Sequence, residues 1–297
     1  MSDPSVIQQW ARSAGLADWD LEAVWESRTS TFTRLKGSGG AHNDVLVRCQ
    51  DTLGTGHLSD LYRIYVWAHD GFSNQTRPVS VPEPIAYDDA TNALILAFVP
   101  GTTATEALRE AISRQEWAQA GTILDTCASA MAAFHCLPAP GAMQVPWERK
   151  RDARHGQPES AAIRFGDFSL NNLLLTDQGC CLIDLPESLR VAPASRDIAS
   201  LIFRVRRLPE PAPAASGPSQ NLSVWMVERF IASYAQEMSL AVVPLTQEVL
   251  REEARRALTI ARKRVKSRRL GSARGYVIWA AACFAGKHPR PRADLLR

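Results

Sequence analysis

The spacing of apolar residues changes along this chain, and the change divides it into two parts. Thr31–Lys36 and Asp44–Cys49 are strand-like and flank Gly37-Ser-Gly-Gly-Ala-His-Asn43, which predicts a glycine-containing β-hairpin. Before it, Val6, Ile7, Trp10, Leu16, Trp19, Leu21, Val24 and Trp25 recur among polar residues of 4–27, with a break near Gly15, and predict two short amphipathic helices. Leu58–His69 reads as a helix, and 81–87 and 93–99 read as strands. From Gly101 onward the period is mostly helical, over 104–112, 115–136, 222–238 and 245–265. One interruption is strand-like: Leu173–Leu175 and Cys180–Ile183, separated by a turn at Thr176–Gly179, predict a second hairpin. Pro209–Ser219 is a Pro/Ala/Ser-rich loop. No internal repeat is evident. A strand-rich first third joined to a helical remainder is an α+β arrangement.

The 297 residues are enough for two separate cores, and 45% hydrophobic with 22% charged residues is ordinary for a soluble globular protein. The opening Met-Ser-Asp-Pro lacks a basic segment followed by an apolar one, so no signal peptide is expected. Tyr276–Gly286, a low-charge run near the end, is too short to span a bilayer, and no transmembrane segment is expected. The six cysteines form no Cys-x-x-Cys pair, and several sit inside apolar patterns as small buried hydrophobes. A reducing cytoplasm is the expected location. Nucleic-acid binding is not expected, because the net charge is only +3 and no recognition motif or aromatic interleaving accompanies the basic stretches.

The second hairpin carries the chemistry. Asp167 is followed five residues later by Asn172 at the hairpin's entrance, and Asp184 stands at its exit. A hairpin folds its two ends together, so the three polar side chains are expected to converge. An Asp that accepts a hydroxyl proton, with an Asn and an Asp that ligate Mg²⁺, is the equipment of phosphoryl transfer.

Phe165-Gly-Asp-Phe-Ser-Leu-Asn-Asn-Leu-Leu174 resembles the catalytic loop of the aminoglycoside phosphotransferase and choline kinase-like family. Leu182-Ile-Asp-Leu-Pro-Glu187 is similar to its metal motif, and Ser195-Arg-Asp-Ile-Ala199 to the Asp-[Leu/Ile]-Ala that follows. Val81-Pro-Glu-Pro84 and Leu94-Ile-Leu-Ala-Phe-Val-Pro-Gly101 resemble the strand into the hinge, and Met131-Ala-Ala-Phe-His135 the Leu-His helix end. The likeness covers roughly residues 30 to 205. It implies a bilobed protein kinase-like fold, with a small antiparallel-sheet N-lobe over 1–98 and a larger, mostly helical C-lobe over 99–297. It implies ATP or GTP as phosphoryl donor, Mg²⁺ held by Asn172 and Asp184, and Asp167 as the base acting on a hydroxyl of a small molecule. Backbone groups of Ala97, Phe98 and Val99 are expected to hold the nucleotide base, with the donor at Val99 or before it, since Pro100 has no N–H. Asp197 is expected to brace the loop, and His135 to be a buried structural histidine.

Four positions depart from the family pattern. The cation near the phosphates is Arg48 where a Lys is usual, with Lys36 as competitor and a solvated strand-end cation as the bland reading of either. Its partner carboxylate on the next helix is Asp60 where a Glu is usual. Gly37 and Gly39 begin Gly-x-Gly-x-x-Gly, but His42 occupies the last place. Phe165 replaces the His before Gly-Asp, so that Phe165→His is expected to be tolerated. The Arg48, Asp60 and Phe165 departures together keep an alternative open, a catalytically weak or inactive kinase-like nucleotide-binding or regulatory protein. The acceptor is left open too, as is oligomeric state. Trp147–Arg154 is net basic, and residues 251–275 carry ten Arg/Lys against two Glu, either a solvated helix face or a surface for an anionic partner.

Overall fold

The computed structural model describes residues 20–26, 30–37, 44–50, 58–140, 161–166, 168–206 and 222–288. Their contacts separate into two compact units, one running to Gly101 with Cys181–Ser188 added, the other formed by Thr102–Cys180 and the chain from Leu189.

The first unit is built on an antiparallel sheet of β1 (Asp20–Glu26), β2 (Ser30–Lys36), β3 (Asp44–Gln50), β5 (Pro84–Asp88) and β6 (Ala93–Ala97), in the order β1-β2-β3-β6-β5. The predicted hairpin is β2–β3, in register from Ser30↔Gln50 to Lys36↔Asp44, and β3 pairs in turn with β6. Alternation selects the faces. Leu35, Val45, Val47, Ala93 and Ile95 form one buried cluster, while Arg48 points to the other side of β3. Helix α1 (Leu58–Ser73) buries Leu58, Leu61, Ile64, Tyr65, Ala68 and Phe72, and runs four residues past its predicted end. A short β4 (Val79–Ser80) precedes β5.

The helical expectation for 4–27 fails where it can be checked. Residues 20–26 form β1, an edge strand paired antiparallel with β2, and the remainder of that stretch up to residue 19 lies outside the described residues. Two features override the helical spacing. Glu22, at the irregularity between the Leu21↔Leu35 and Ala23↔Arg34 pairs, forms an ion pair with Arg34 of β2 at 2.9 Å, and Leu21 and Val24 remain 39% and 44% exposed, where a helix would have had to bury them.

In the second unit, β7 (Thr102–Thr103) leads into α2 (Ala104–Ser113) through a capping box between Thr103 and Glu106. Along the chain then follow α3 (Trp117–His135), β8 (Ala161–Arg164), a 3-10 turn (Leu170–Asn172), β9 (Leu173–Thr176), β10 (Gly179–Leu182), whose last two residues are counted with the first unit, β11 (Arg190–Pro193) and α4 (Ser195–Val205), and finally α5 (Leu222–Glu237), α6 (Val242–Lys266) and α7 (Leu270–Phe284). The second predicted hairpin is present as β9–β10, and β7 pairs with β9. The 31–49 and 93–97 strands share one sheet, as the fold reading requires.

Helix α3 is buried along most of its length, with Leu124, Cys127, Ala128, Met131 and Phe134 fully enclosed. Helices α4, α6 and α7 share a cluster of Phe203, Leu250, Ala254, Ala257, Tyr276 and Trp279. Beside it an ion pair between Arg206 and Glu253, at 2.9 Å, is completely buried and is joined by Trp279 Nε1–H at 3.0 Å. Burial pushes the Glu253 carboxyl upward, against the pull of Arg206 and these hydrogen bonds. Among the described residues no helix is long and apolar enough to cross a membrane.

Candidate active site

Asp184 lies just past β10, whose Cys180, Cys181 and Leu182 are buried. Its backbone is left-handed, with φ of 56°, which is uncommon for a residue with a side chain. The turn swings the carboxylate out, leaving its side chain 60% exposed, while the next residue is anchored: Leu185 N–H faces the hydroxyl of the buried Tyr65 at 3.5 Å. Burial, with the nearby Asp184 charge, pushes the Tyr65 phenol upward, so it stays a neutral hydroxyl.

Arg48 reaches this carboxylate from the exposed face of β3. Its guanidinium is 3.6 Å from Asp184 and 3.4 Å from Glu187, while Nε–H donates to Ser30 Oγ at 3.2 Å. The side chain is only 11% exposed and lies 5.5 Å from the Phe32 ring centre, so it is not a solvated strand-end cation. Lys36 is exposed at the end of β2. The expected pairing with Asp60 is not made. Asp60 is two-thirds exposed and pairs with Arg63, one helical turn on, at 3.6 Å. Glu187, within the segment that follows β10, takes the place assigned to Asp60. An aspartate's short side chain at the start of α1 stays with its helical neighbour, whereas Glu187 is delivered by the same turn that presents Asp184.

Ala97, Phe98 and Val99 run out of β6. The N–H of Ala97 donates to Glu83 O at 2.9 Å and that of Phe98 to Asp44 O at 3.0 Å. Pro100 has no N–H, and among the described residues no partner is found for the N–H of Val99. The guanidinium of Arg34 covers the Phe98 ring at 3.8 Å and also pairs with Asp44 and Glu22, which stiffens this exit.

In the second unit, Asp167 itself lies outside the described residues, but the backbone leading to it is described. Gly166 has φ of 87°, a conformation that costs a β-carbon dear even though no atom crowds the position. Asp197, 1% exposed in the first turn of α4, accepts from Phe165 N–H at 2.7 Å and Gly166 N–H at 3.0 Å, and from His135 Nε2 at 3.2 Å and Arg164 Nε at 3.4 Å. Burial alone would raise its carboxyl. The hydrogen bond and charge of His135, the Arg164 charge and the Phe165 amide outweigh burial and hold it below the ordinary carboxylate value.

Nε2 of His135 donates to the ionised Asp197, and Nδ1 lies 2.7 Å from the Tyr234 hydroxyl. Burial pushes the Tyr234 phenol upward, which keeps the proton on its oxygen. His135 is thus a buried structural residue, as the sequence implied. Phe165 is 1% exposed and stacks edge-to-face with Phe134 and Phe168, at 5.1 Å each. Asn172 closes the 3-10 turn, its N–H donating to Ser169 O at 2.9 Å, and is half-buried before β9.

Asn172 and Asp184 belong to different units, and each is placed here within its own. Sequence reasoning missed Glu187, Tyr65, Arg164 and Tyr234. Glu187 stood in the quoted metal motif and could have been found there; the other three are recognisable only once distant segments are brought together.

No family model matches this sequence, and no curated protein sequence matches it. Solved structures do resemble it. A macrolide 2′-phosphotransferase from Brachybacterium faecium shares 13% identity at a TM-score of 0.56, over 97% of this chain and 100% of that one. A thermostable mutant of aminoglycoside phosphotransferase APH(4)-Ia, in ternary complex with ADP and hygromycin B, shares 12% identity at 0.59, over 95% of this chain and 100% of that one. An ethanolamine kinase from Plasmodium vivax shares 11% identity at 0.53, over 94% of this chain and 84% of that one. The fold is therefore the protein kinase-like fold of these small-molecule phosphotransferases, with an antiparallel-sheet N-terminal part and a mostly helical C-terminal part.

Proposed function

We propose that this chain is a nucleotide- and Mg²⁺-dependent O-phosphotransferase that moves the terminal phosphoryl group of ATP or GTP to a hydroxyl of a small molecule. The observation that carries the reading is the meeting of Arg48 and Asp184: a largely buried cation and an outward-turned carboxylate, 3.6 Å apart, in a fold whose solved examples include phosphotransferases. Residues 1–98, the N-lobe, supply the nucleotide phosphate side, and 99–297, the C-lobe, the catalytic hairpin and the acceptor site. Val99, with Ala97 and Phe98 shaping the strand exit, offers the one backbone donor on this stretch that no described residue engages.

Asn172 and Asp184, each within its own unit, carry the oxygen donors that suit a hard cation such as Mg²⁺. When bound, Mg²⁺ would supply charge neutralisation at the phosphate oxygens. Arg48 exchanges its carboxylate partners for phosphate oxygens, which its planar fork can take two at a time. Asp167 accepts the proton of the acceptor hydroxyl as its oxygen bonds to phosphorus. The bridging oxygen then leaves with the bonding electrons on the nucleoside diphosphate. Asp197 does no chemistry; it fastens the two amides that precede Asp167. Four of the six cysteines are buried, as small hydrophobes would be, which suits a cytoplasmic protein.

The test is thermal denaturation with ATP or GTP, with and without Mg²⁺. Stabilisation that requires both nucleotide and metal supports the enzyme reading. A shift indifferent to metal, or none, supports the alternative of an inactive kinase-like regulatory protein.

A further inference from the structure

Residues 262–287, which end α6, turn and form α7, contain eight Lys or Arg and no Asp or Glu. The rest of the chain holds the other 26 of the 34 basic residues and all 31 acidic ones, so it is net negative. The modest total of +3 therefore conceals a separation of charge. Among the described residues none of these eight cations pairs with a carboxylate, and all except the half-buried Arg264 are exposed.

Helix energetics explains only part of this cluster. Lys263, Arg264 and Lys266 lie in the last turn of α6, where cations offset the negative end of the helix dipole. Arg268 and Arg269 stand immediately before α7, whose positive end they oppose. Arg268 even takes the left-handed position of the turn, with φ of 57°, that helix ends commonly give to glycine. Its N–H and that of Arg269 donate to the carbonyls of Val265 and Arg264 at 2.9 and 2.8 Å, which fixes the link between the helices.

Helix α7 adds an apolar stripe. Tyr276, Trp279, Ala280 and Cys283 face the core. On the opposite side Arg274, Val277, Ile278, Ala281 and Phe284 recur at helical spacing, and Val277, Ile278 and Phe284 are 50%, 53% and 58% exposed. A helix apolar on both sides has one side still to cover. A second copy fits it badly: cations open the stripe and Lys287 follows it, so two such helices packed in either direction set like charges together. A nucleic-acid strand would use the cations and stack on rings, but Phe284 is the one aromatic residue of the stripe. An anionic bilayer surface uses both features, since its headgroups attract the cations and its acyl boundary takes the aliphatic side chains.

We propose that the turn between α6 and α7 and the outer side of α7 form a peripheral docking surface for membranes rich in anionic phospholipid. Val277, Ile278 and Phe284 enter the boundary beneath the headgroups, and Arg268, Arg269 and Arg274 meet the phosphates above it. The contact is interfacial and not spanning. It belongs to the second unit alone and does not depend on the phosphotransferase reading.

The test is co-sedimentation of the full chain with vesicles of phosphatidylcholine alone and of equal parts phosphatidylcholine and phosphatidylserine, at low and high salt. Two variants accompany it, Arg268→Gln/Arg269→Gln/Arg274→Gln and Val277→Ser/Ile278→Ser, all at exposed positions. The wild type should bind the anionic vesicles, leave the neutral ones, and be released by salt. The Gln variant should bind roughly 100-fold more weakly, about fivefold for each cation, and the Ser variant about tenfold, with melting temperatures unchanged. Equal binding of the wild type to both vesicle types overturns the proposal, as does either variant binding like the wild type. Failure of the wild type to bind vesicles overturns it too, whether the chain instead captures a labelled single-stranded RNA or forms a dimer that the Ser variant dissolves. The salt arm needs no variant and so decides even if a substitution disturbs folding: binding to anionic vesicles that salt leaves unmoved overturns the proposal.

Discussion

Replacing Asp197 by Asn tests the brace of the loop at one atom. The side chain keeps its volume, but one acceptor oxygen becomes an NH₂ group. Turned one way, that group faces Phe165 N–H and His135 Nε2; turned the other, it faces Gly166 N–H and Arg164 Nε. Either orientation sets donors against a donor in a site that is 1% exposed. Removing one partner of a buried charged pair costs about 3–5 kcal/mol, which for a chain of this size lowers Tm by on the order of 10 °C. The pH dependence has a definite sign. Because the folded carboxyl is held below its ordinary value of 3.8, its contribution is complete above that value and is lost as pH falls through the lower folded one. Melting curves of wild type and Asp197→Asn followed by circular dichroism should therefore stay a fixed distance apart from neutral pH to about pH 5, and converge only below about pH 4. An Asn variant melting within about 2 °C of wild type at pH 7, or a gap that closes above pH 5, would refute the reasoning.

Asp184→Asn should weaken Mg²⁺-nucleotide binding measured by calorimetry, whereas Asp167→Asn should leave binding nearly intact and lower turnover roughly 10²–10⁴-fold; equal loss of binding in both would dissolve the division of roles. Phe165→His, which the family pattern alone would tolerate, should lower stability by about 1–3 kcal/mol, because the ring is enclosed by Phe134 and Phe168 and finds no aqueous partner. An unchanged melting temperature contradicts this. Arg206→Met should cost about 3–5 kcal/mol by stranding Glu253, and adding Glu253→Leu should recover most of the loss. If the double variant is no better than the single one, the pair is not the source of the defect.

What was legible in the sequence is what local period can express. The strand Ser30–Lys36 alternates cleanly, the other strands of the hairpins at 31–49 and 173–182 show as short apolar runs around turns, and α1, α3, α5 and α6 carry long apolar stripes that the pattern located to within a few residues. The failures have physical causes. In β1, four apolar residues among acidic ones satisfy both periods over so short a span, and only the partner strand decides. Strands β8 and β11 have four residues each and exist because each pairs with the other across the intervening hairpin. Helix α4 buries Ser195, Arg196, Asp197 and Ser200, so its inward face reads as polar. Helix α7 is apolar on both its buried side, with Tyr276 and Trp279, and its exposed side, with Val277 and Ile278, which erases the stripe. At the candidate site, residue types were readable and partnerships were not. Asp60 was the reasonable carboxylate by position in the chain, and Glu187 is the one that Arg48 meets.

The carboxylate of Asp197 also governs when the loop can come into being. His135 lies 62 residues from Asp197 and 99 from Tyr234, and Phe165 lies 32 from Asp197, so no bond in this junction closes by a local turn. A nascent chain cannot complete it until α5 has been synthesised and packed against α3, and the closure entropy is met only by collapse of the whole helical core. The amides of Phe165 and Gly166 then belong kinetically to that core. They exchange their hydrogens when the helices part, not when a surface loop breathes, and the segment preceding Asp167 inherits the lifetime of the most slowly opening part of its unit.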